Sequence, residues 1–267
     1  MILRDKFWLW GHTEGRYNNE YGNTKVSRMT PMEFCSVFGV RNTFMVPVYE
    51  EVNRRQYNKS FRSLRQVGWE AFEAGEDPTR IETVLQESEE FPNIGCVVFD
   101  DFKSDHGTGI PRYKRVPLEN LQQIQERLHH GASRPLDSWM VLYTFQFGLD
   151  PKEDEEFQPY MDIFDGIIFW TWEEKDVPLI PEKFEIFKKQ TPNTRRMFGC
   201  YLYNFGENKQ ATADAVLWQL DFYREKILSG EAEGIVFHTN TMADLDYEAY
   251  DAALAWMDEH GDEEIPE

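Results

Sequence analysis

The chain has 267 residues and carries 28 Lys and Arg against 48 Asp and Glu, a formal net charge of −20 with a pI near 4.7. That charge disfavours nucleic acid, anionic membrane surfaces and polyanionic substrates, all of which are held by Lys and Arg. Aromatic residues make up 15% of the chain, enough large apolar surface to argue against disorder and for a soluble globular protein.

Short apolar runs alternate with amphipathic stretches along the whole length. Phe7 to Gly11 (FWLWG) reads as a first strand. Thr30, Pro31 and Glu33 form a capping box with proline at the first helical position, so a helix starts there. A strand follows at 42–48 and a helix at 54–64. The run 66–72 (QVGWEAF) is the weakest strand pattern, because it also continues the preceding helix. Asp77-Pro78 opens a helix to Glu90, and 94–99 (IGCVVF) is continuously apolar, as a strand buried on both faces should be. Pro117 opens a helix with Leu118, Leu121, Ile124 and Leu128 on one stripe. Strands at 138–144, 166–171, 196–203 and 234–238 then alternate with helices at 155–164, 181–190, 212–228 and 246–260, before an acidic tail.

Eight strand–helix units in about 250 residues predict an α/β fold, a (β/α)8 or TIM barrel, in a single domain over residues 1–267. An open doubly wound sheet would carry a Gly-rich phosphate loop after its first strand, and Trp10-Gly11-His12 stands there instead. A helical 66–72 would leave seven units and an incomplete barrel.

In such a barrel the active site lies at the C-terminal ends of the strands. Those positions hold Trp10 and His12; Tyr49, Glu50 and Glu51; Glu70 and Glu73; Asp100 and Asp101; Tyr143, Thr144 and Gln146; Trp170, Trp172, Glu173 and Glu174; Tyr201, Tyr203 and Asn204; and His238, Thr239 and Asn240. The set is rich in aromatic rings, amides and carboxylates and poor in Lys and Arg. Aromatic faces stack on a pyranose while amides and carboxylates bond its hydroxyls. Phosphorylated metabolites want backbone nests and positive charge instead. A small carbohydrate is therefore the expected partner, with no nucleic acid and no membrane.

Asp100-Asp101 directly follows a wholly apolar run. Adjacent buried carboxylates push their pKa values apart, which is how a general acid stays protonated near neutral pH. By strand alternation Asp100 shares a face with Val98 and Cys96 and is the inward residue, while Asp101 lies where parity loosens. Glu173 is a candidate third carboxylate, and Glu173-Glu174 also reads as a solvated helix entrance. His12 and His238 end neighbouring strands. With Asp100 or Glu70 they would suit a divalent metal, giving an isomerase or epimerase, although no His-x-His spacing is present. His106, His129, His130 and His260 read as surface residues.

An eight-fold barrel with acids closing strand four and an aromatic rim resembles the (β/α)8 glycoside hydrolases. Most retaining members also have a Glu nucleophile ending strand seven, whereas this strand ends Tyr203-Asn204. The Asp-Asp pair is similar to that of the substrate-assisted N-acetylhexosaminidases. That resemblance implies that Asp100 orients an acetamido group, that Asp101 protonates the leaving oxygen, and that Tyr203 and Asn204 touch substrate. The stretch 8–12 (WLWGH) resembles the start of a group of uncharacterised barrel glycosidases. The first reading is thus a glycosidase acting on a neutral or N-acetylated sugar, with catalytic Asp100, Asp101 and Glu173 and no metal or other cofactor. Its substrate contacts are Trp10, His12, Glu70, Tyr143, Gln146, Trp170, Trp172, Tyr203, Asn204, His238 and Asn240. The alternatives are a metal-dependent sugar isomerase or epimerase, and a non-catalytic carbohydrate-binding barrel. Three distant cysteines and an N-terminus unlike a signal peptide point to a reducing, cytoplasmic setting.

Overall fold

The computed structural model describes residues 1–47, 51–105 and 107–266, so the readings on Tyr49, Glu50 and His106 lie outside the described residues. Eight parallel strands close into a barrel in chain order: β1 (Phe7–Gly11), β2 (Asn42–Met45), β3 (Gln66–Glu70), β4 (Ile94–Phe99), β5 (Asp137–Tyr143), β6 (Gly166–Trp170), β7 (Arg195–Tyr201) and β8 (Ile235–His238). The last strand pairs with the first through Phe7 with Ile235 to Trp10 with His238. The fold is therefore a (β/α)8 barrel. The ambiguous run at 66–72 divides: Gln66 to Glu70 pairs with β2 and β4, and only from Phe72 does the chain turn helical.

Nine α-helices are present among the described residues: α1 (Pro31–Phe38), α2 (Arg54–Ser60), α3 (Phe72–Glu76), α4 (Ile81–Glu90), α5 (Leu118–His130), α6 (Pro151–Met161), α7 (Ile180–Gln190), α8 (Ala213–Leu228) and α9 (Glu248–His260). The capping box at α1 is formed. The Glu33 amide donates to Thr30 Oγ1 at 3.2 Å, and the Thr30 amide donates to the Glu33 carboxylate at 2.8 Å. Leu121, Ile124 and Leu128 of α5, and Val216, Leu220, Tyr223 and Ile227 of α8, are buried against the strands. Each contributes about 1.5–3 kcal/mol of transfer free energy.

Strand alternation sorts the apolar residues into two cores. Val97 and Phe99 of β4 face the helices, while Cys96 and Val98 face the barrel interior with Trp8, Trp10, Phe44, Trp139 and Trp170. So many large rings fit inside because glycine lies beneath two of them. A Cβ on Gly166 would stand 2.2 Å from the Trp139 ring, and one on Gly199 would stand 1.9 Å from that of Trp170. Cys35, Cys96 and Cys200 are free and buried. Among the described residues no helix is long and apolar enough to cross a membrane.

At the strand starts the charges are paired. The Asp165 carboxylate accepts from the Ser138 amide at 2.8 Å and from Gln125 Nε2 at 2.9 Å, and lies 3.1 Å from His129 Nε2. Asp5 faces both Arg41 (3.1 Å) and Arg65 (3.0 Å), and Arg195 pairs with Asp137 at 2.6 Å.

Candidate active site

A cavity of about 470 Å³ opens at the C-terminal ends of the strands. Trp10 and Trp170, with ring centroids 5.5 Å apart, continue the barrel interior into its floor together with Val46 and Val141. Glu70, Glu73, Asp100, Asp101, Ser104 and Arg112 form one wall, and His12, Tyr17, Tyr201, Phe205 and His238 the other. Tyr143 and Trp172 lie between them, and Arg16, Tyr21 and Phe145 complete the lining.

The acidic wall follows from the strand pattern up to a point. Asp100 extends the inward series Cys96, Val98 by one step. Asp101 would then face outward, but its backbone is left-handed (φ 50°), and this breaks the alternation. Both side chains therefore line the cavity. Such a conformation at a non-glycine residue costs on the order of 1 kcal/mol and is most tolerated by Asn and Asp. Burial pushes the Asp100 carboxyl well above its ordinary value, and the negative charges of Asp101 and Glu70 push it further, against a smaller opposing pull from Arg112. Burial likewise raises Glu70, whose carboxylate accepts from the Phe72 amide at 2.6 Å. Arg112 donates to the Asp100 carbonyl at 3.3 Å, and its guanidinium lies 3.5 Å from the Phe72 ring centroid.

The opposite wall is neutral. His12 Nδ1 lies 2.6 Å from the Val46 carbonyl, which only accepts, and this assigns the ring proton to Nδ1. His12 Nε2 then offers its lone pair to His238 Nε2 at 3.3 Å and to the Tyr17 hydroxyl at 3.2 Å. Burial pulls His12 down to about 4. Burial, and then the proximity of His12, pull His238 well below its ordinary value. Both rings are uncharged near pH 7. The hydroxyls of Tyr143 and Tyr201 lie 3.3 Å apart, and burial holds both phenols protonated.

Nine of the sequence-predicted residues line this cavity: Trp10, His12, Glu70, Asp100, Asp101, Tyr143, Trp170, Trp172 and His238. Five do not. Gln146 is turned back on its own strand, its Oε1 accepting from the Tyr143 amide at 3.0 Å. Glu173 lies outside the cavity in an ion pair with Lys175, the solvated helix entrance weighed for it above. Tyr203 is buried, and its hydroxyl donates to the Tyr21 carbonyl at 2.9 Å. Asn204 caps a short turn, accepting from the Glu207 amide at 3.2 Å. Asn240 is fully buried, accepting from the His12 amide at 2.9 Å and donating to the His12 carbonyl at 3.1 Å. It aligns His12 from behind. The rim is also less poor in base than the strand ends suggested, because loops bring in Arg16, paired with Glu20 at 2.8 Å, and Arg112. Tyr17, Tyr21, Phe145 and Phe205 also arrive on loops. Tyr201 and Glu73, both named at the strand ends though not among the substrate contacts, line the cavity too. For a metal, His12 and His238 spend their facing nitrogens on each other, and among the described residues no group of three His, Cys, Asp or Glu is placed to hold an ion.

No protein-family model and no curated protein matches this chain. Solved structures do. Active domain 2 of a thermostable chitinase from Pyrococcus furiosus is similar at a TM-score of 0.62 and 10% identity, over 96% of this chain and 95% of that one. A candidate alpha-L-fucosidase from Bacteroides thetaiotaomicron is similar at 0.61 and 9%, over 99% and 98%. The tryptophan synthase α-subunit from Pyrococcus furiosus, a different activity, is similar at 0.53 and 9%, over 96% and 97%. At such identities the likeness is one of fold, and function rests on the site.

Proposed function

We propose that this chain is a glycoside hydrolase acting on a neutral or N-acetylated sugar, with Asp100 and Asp101 as its acid/base carboxyls. The observation that carries this reading is the pair itself: two adjacent carboxyls turned into one aromatic-floored cavity, one of them with its pKa pushed well up. A general acid must hold its proton at the working pH. We therefore give that role to Asp100, which protonates the departing glycosidic oxygen. The charge of Asp101 stabilises the cationic character at the anomeric carbon while water attacks it, or orients an acetamido group that attacks first and gives a cyclic intermediate opened by water; either way the water's proton goes to the ionised Asp100. This reverses the order implied by the N-acetylhexosaminidase resemblance. Trp172 offers a ring for the sugar above the floor made by Trp10 and Trp170, and the uncharged histidines and phenols offer hydrogen bonds for its hydroxyls. The glycoside-cleaving proteins among the fold neighbours support the reading at this general level.

The test is a panel of aryl glycosides with leaving groups of graded acidity. Asp100→Asn should lose most activity on poor leaving groups and least on the most acidic one, since only the former need a proton. Asp101→Asn should lose activity on all of them. Hydrolysis unchanged by either substitution sinks the proposal.

A further inference from the structure

Beside the main cavity lies a groove of about 240 Å³, and the two share Ser104 and Phe145. Phe145, at the mouth of the cavity, is 51% exposed. Its ring lies nearly parallel to that of Tyr143, with centroids 5.3 Å apart and an interplanar angle of 14°. Tyr143 thus covers one face, and the exposed area is the other.

The ring is held in place by its own turn. The Gln146 amide donates to the Tyr143 carbonyl at 2.9 Å, and the Tyr143 amide donates to Gln146 Oε1 at 3.0 Å, so Gln146 closes the turn twice. The Gln146 carbonyl accepts from Lys103 Nζ. The Lys103 side chain is 2% exposed, with Glu153 at 3.4 Å and Asp154 at 4.0 Å from its ammonium group to balance it. A buried lysine is costly unless paired, and here two carboxylates and the Gln146 carbonyl pair it. A platform fixed beforehand loses little entropy when a ligand stacks on it.

We infer that Phe145 is an outer subsite that stacks a second ring of the substrate as it leaves the cavity toward the groove, so that the chain takes oligosaccharides or ring-bearing glycosides in preference to single sugars. This rests on the glycosidase reading. Gln146 is then a positioning residue acting through Phe145, and Ser104 and Asp105 at the groove supply hydrogen bonds to ring hydroxyls.

The experiment is calorimetric titration of the wild type, Phe145→Ala, Phe145→Trp and Gln146→Ala. The ligands are glucose, N-acetylglucosamine, mannose and galactose, each paired with its own disaccharide. The wild type should bind one disaccharide about tenfold more tightly than its monosaccharide. Phe145→Ala should bring the disaccharide down to the monosaccharide's affinity, Phe145→Trp should keep the advantage, and Gln146→Ala should reduce it. A disaccharide no tighter than its monosaccharide, or an advantage kept by Phe145→Ala, overturns the subsite and leaves the glycosidase reading standing. No binding of any sugar, together with no hydrolysis of the aryl panel, overturns both.

Discussion

Asp165 at the strand starts and Asp100 at the strand ends are both carboxyls held by the same barrel, yet their surroundings are opposite. Asp165 is met by the Ser138 amide, the Gln125 amide group and His129. Asp100 is met by Asp101 and Glu70, with Arg112 the smaller, opposing influence. Around Asp165 each neighbour is placed to hydrogen-bond the carboxylate. Around Asp100 the two largest effects after burial oppose the charged form. A carboxyl arranged like the first steadies the fold; one arranged like the second destabilises it and is suited to moving a proton. The surplus of acid in this chain therefore serves two different ends of the barrel in two different ways.

That contrast can be broken by experiment. The largest expected effect is catalytic: Asp101→Asn should lower kcat/KM on aryl glycosides by about 100-fold or more, while Asp165→Ala leaves it unaltered. Equal losses would erase the distinction. Next comes the pH dependence of stability. His12 titrates near 6.5 when unfolded and about 4 in the fold, so between those values the unfolded chain binds more protons. Its contribution is full above pH 6.5 and falls as the pH drops toward 4, by about 3 kcal/mol. Urea unfolding of wild type and His12→Asn at pH 7, 5.5 and 4 should show a steeper fall in the wild type, the remaining slope of the variant coming from the buried His238.

Smaller is the cost of Asp165→Ala, about 2 kcal/mol, because the Ser138 amide and the Gln125 side chain lose their acceptor. Last, and opposite in sign, is Asp100→Asn. The folded pKa of Asp100 is raised, so its ionisation weakens the fold as pH rises above its ordinary 3.8. Removing the ionisable group should stabilise the fold at pH 8 and leave it unchanged at pH 3, measured by thermal melts. A loss of stability at pH 8 would place Asp100 in the same class as Asp165.

Much of the barrel was legible in the sequence because buried parallel strands leave a local signature. Ile94 to Phe99 is apolar at every position except Gly95, and its limits are those of β4. Gln66 to Glu70 was ambiguous because its strand state depends on β2 and β4 on either side, a fact of pairing that no single run contains. The site divides the same way. Trp10, Glu70, Tyr143, Trp170 and His238 follow from alternation within their strands, and Asp100 from alternation carried one step past β4. Arg16, Tyr17 and Tyr21 were not found, because their loop is placed by contacts with no period: Asn23 donates to the Tyr17 carbonyl at 3.1 Å and accepts from Tyr247, 224 residues away, at 2.7 Å. Gln146, Tyr203, Asn204 and Asn240 misled because a polar side chain near a strand end can serve the backbone as well as a ligand.

The Trp170 ring over Gly199 bears on how this protein could change over evolutionary time. Any side chain at position 199 would have to displace an indole that is at once part of the barrel core and the bottom of the cavity. Substitutions that redraw the bottom of the site therefore threaten the whole molecule, whereas the loops carrying Arg16, Tyr21, Arg112 and Phe145 can vary with little consequence for folding. Divergence toward new ligands should run through those loops, and a library confined to them should keep a higher fraction of folded members than one directed at Trp10, Trp170 and Gly199.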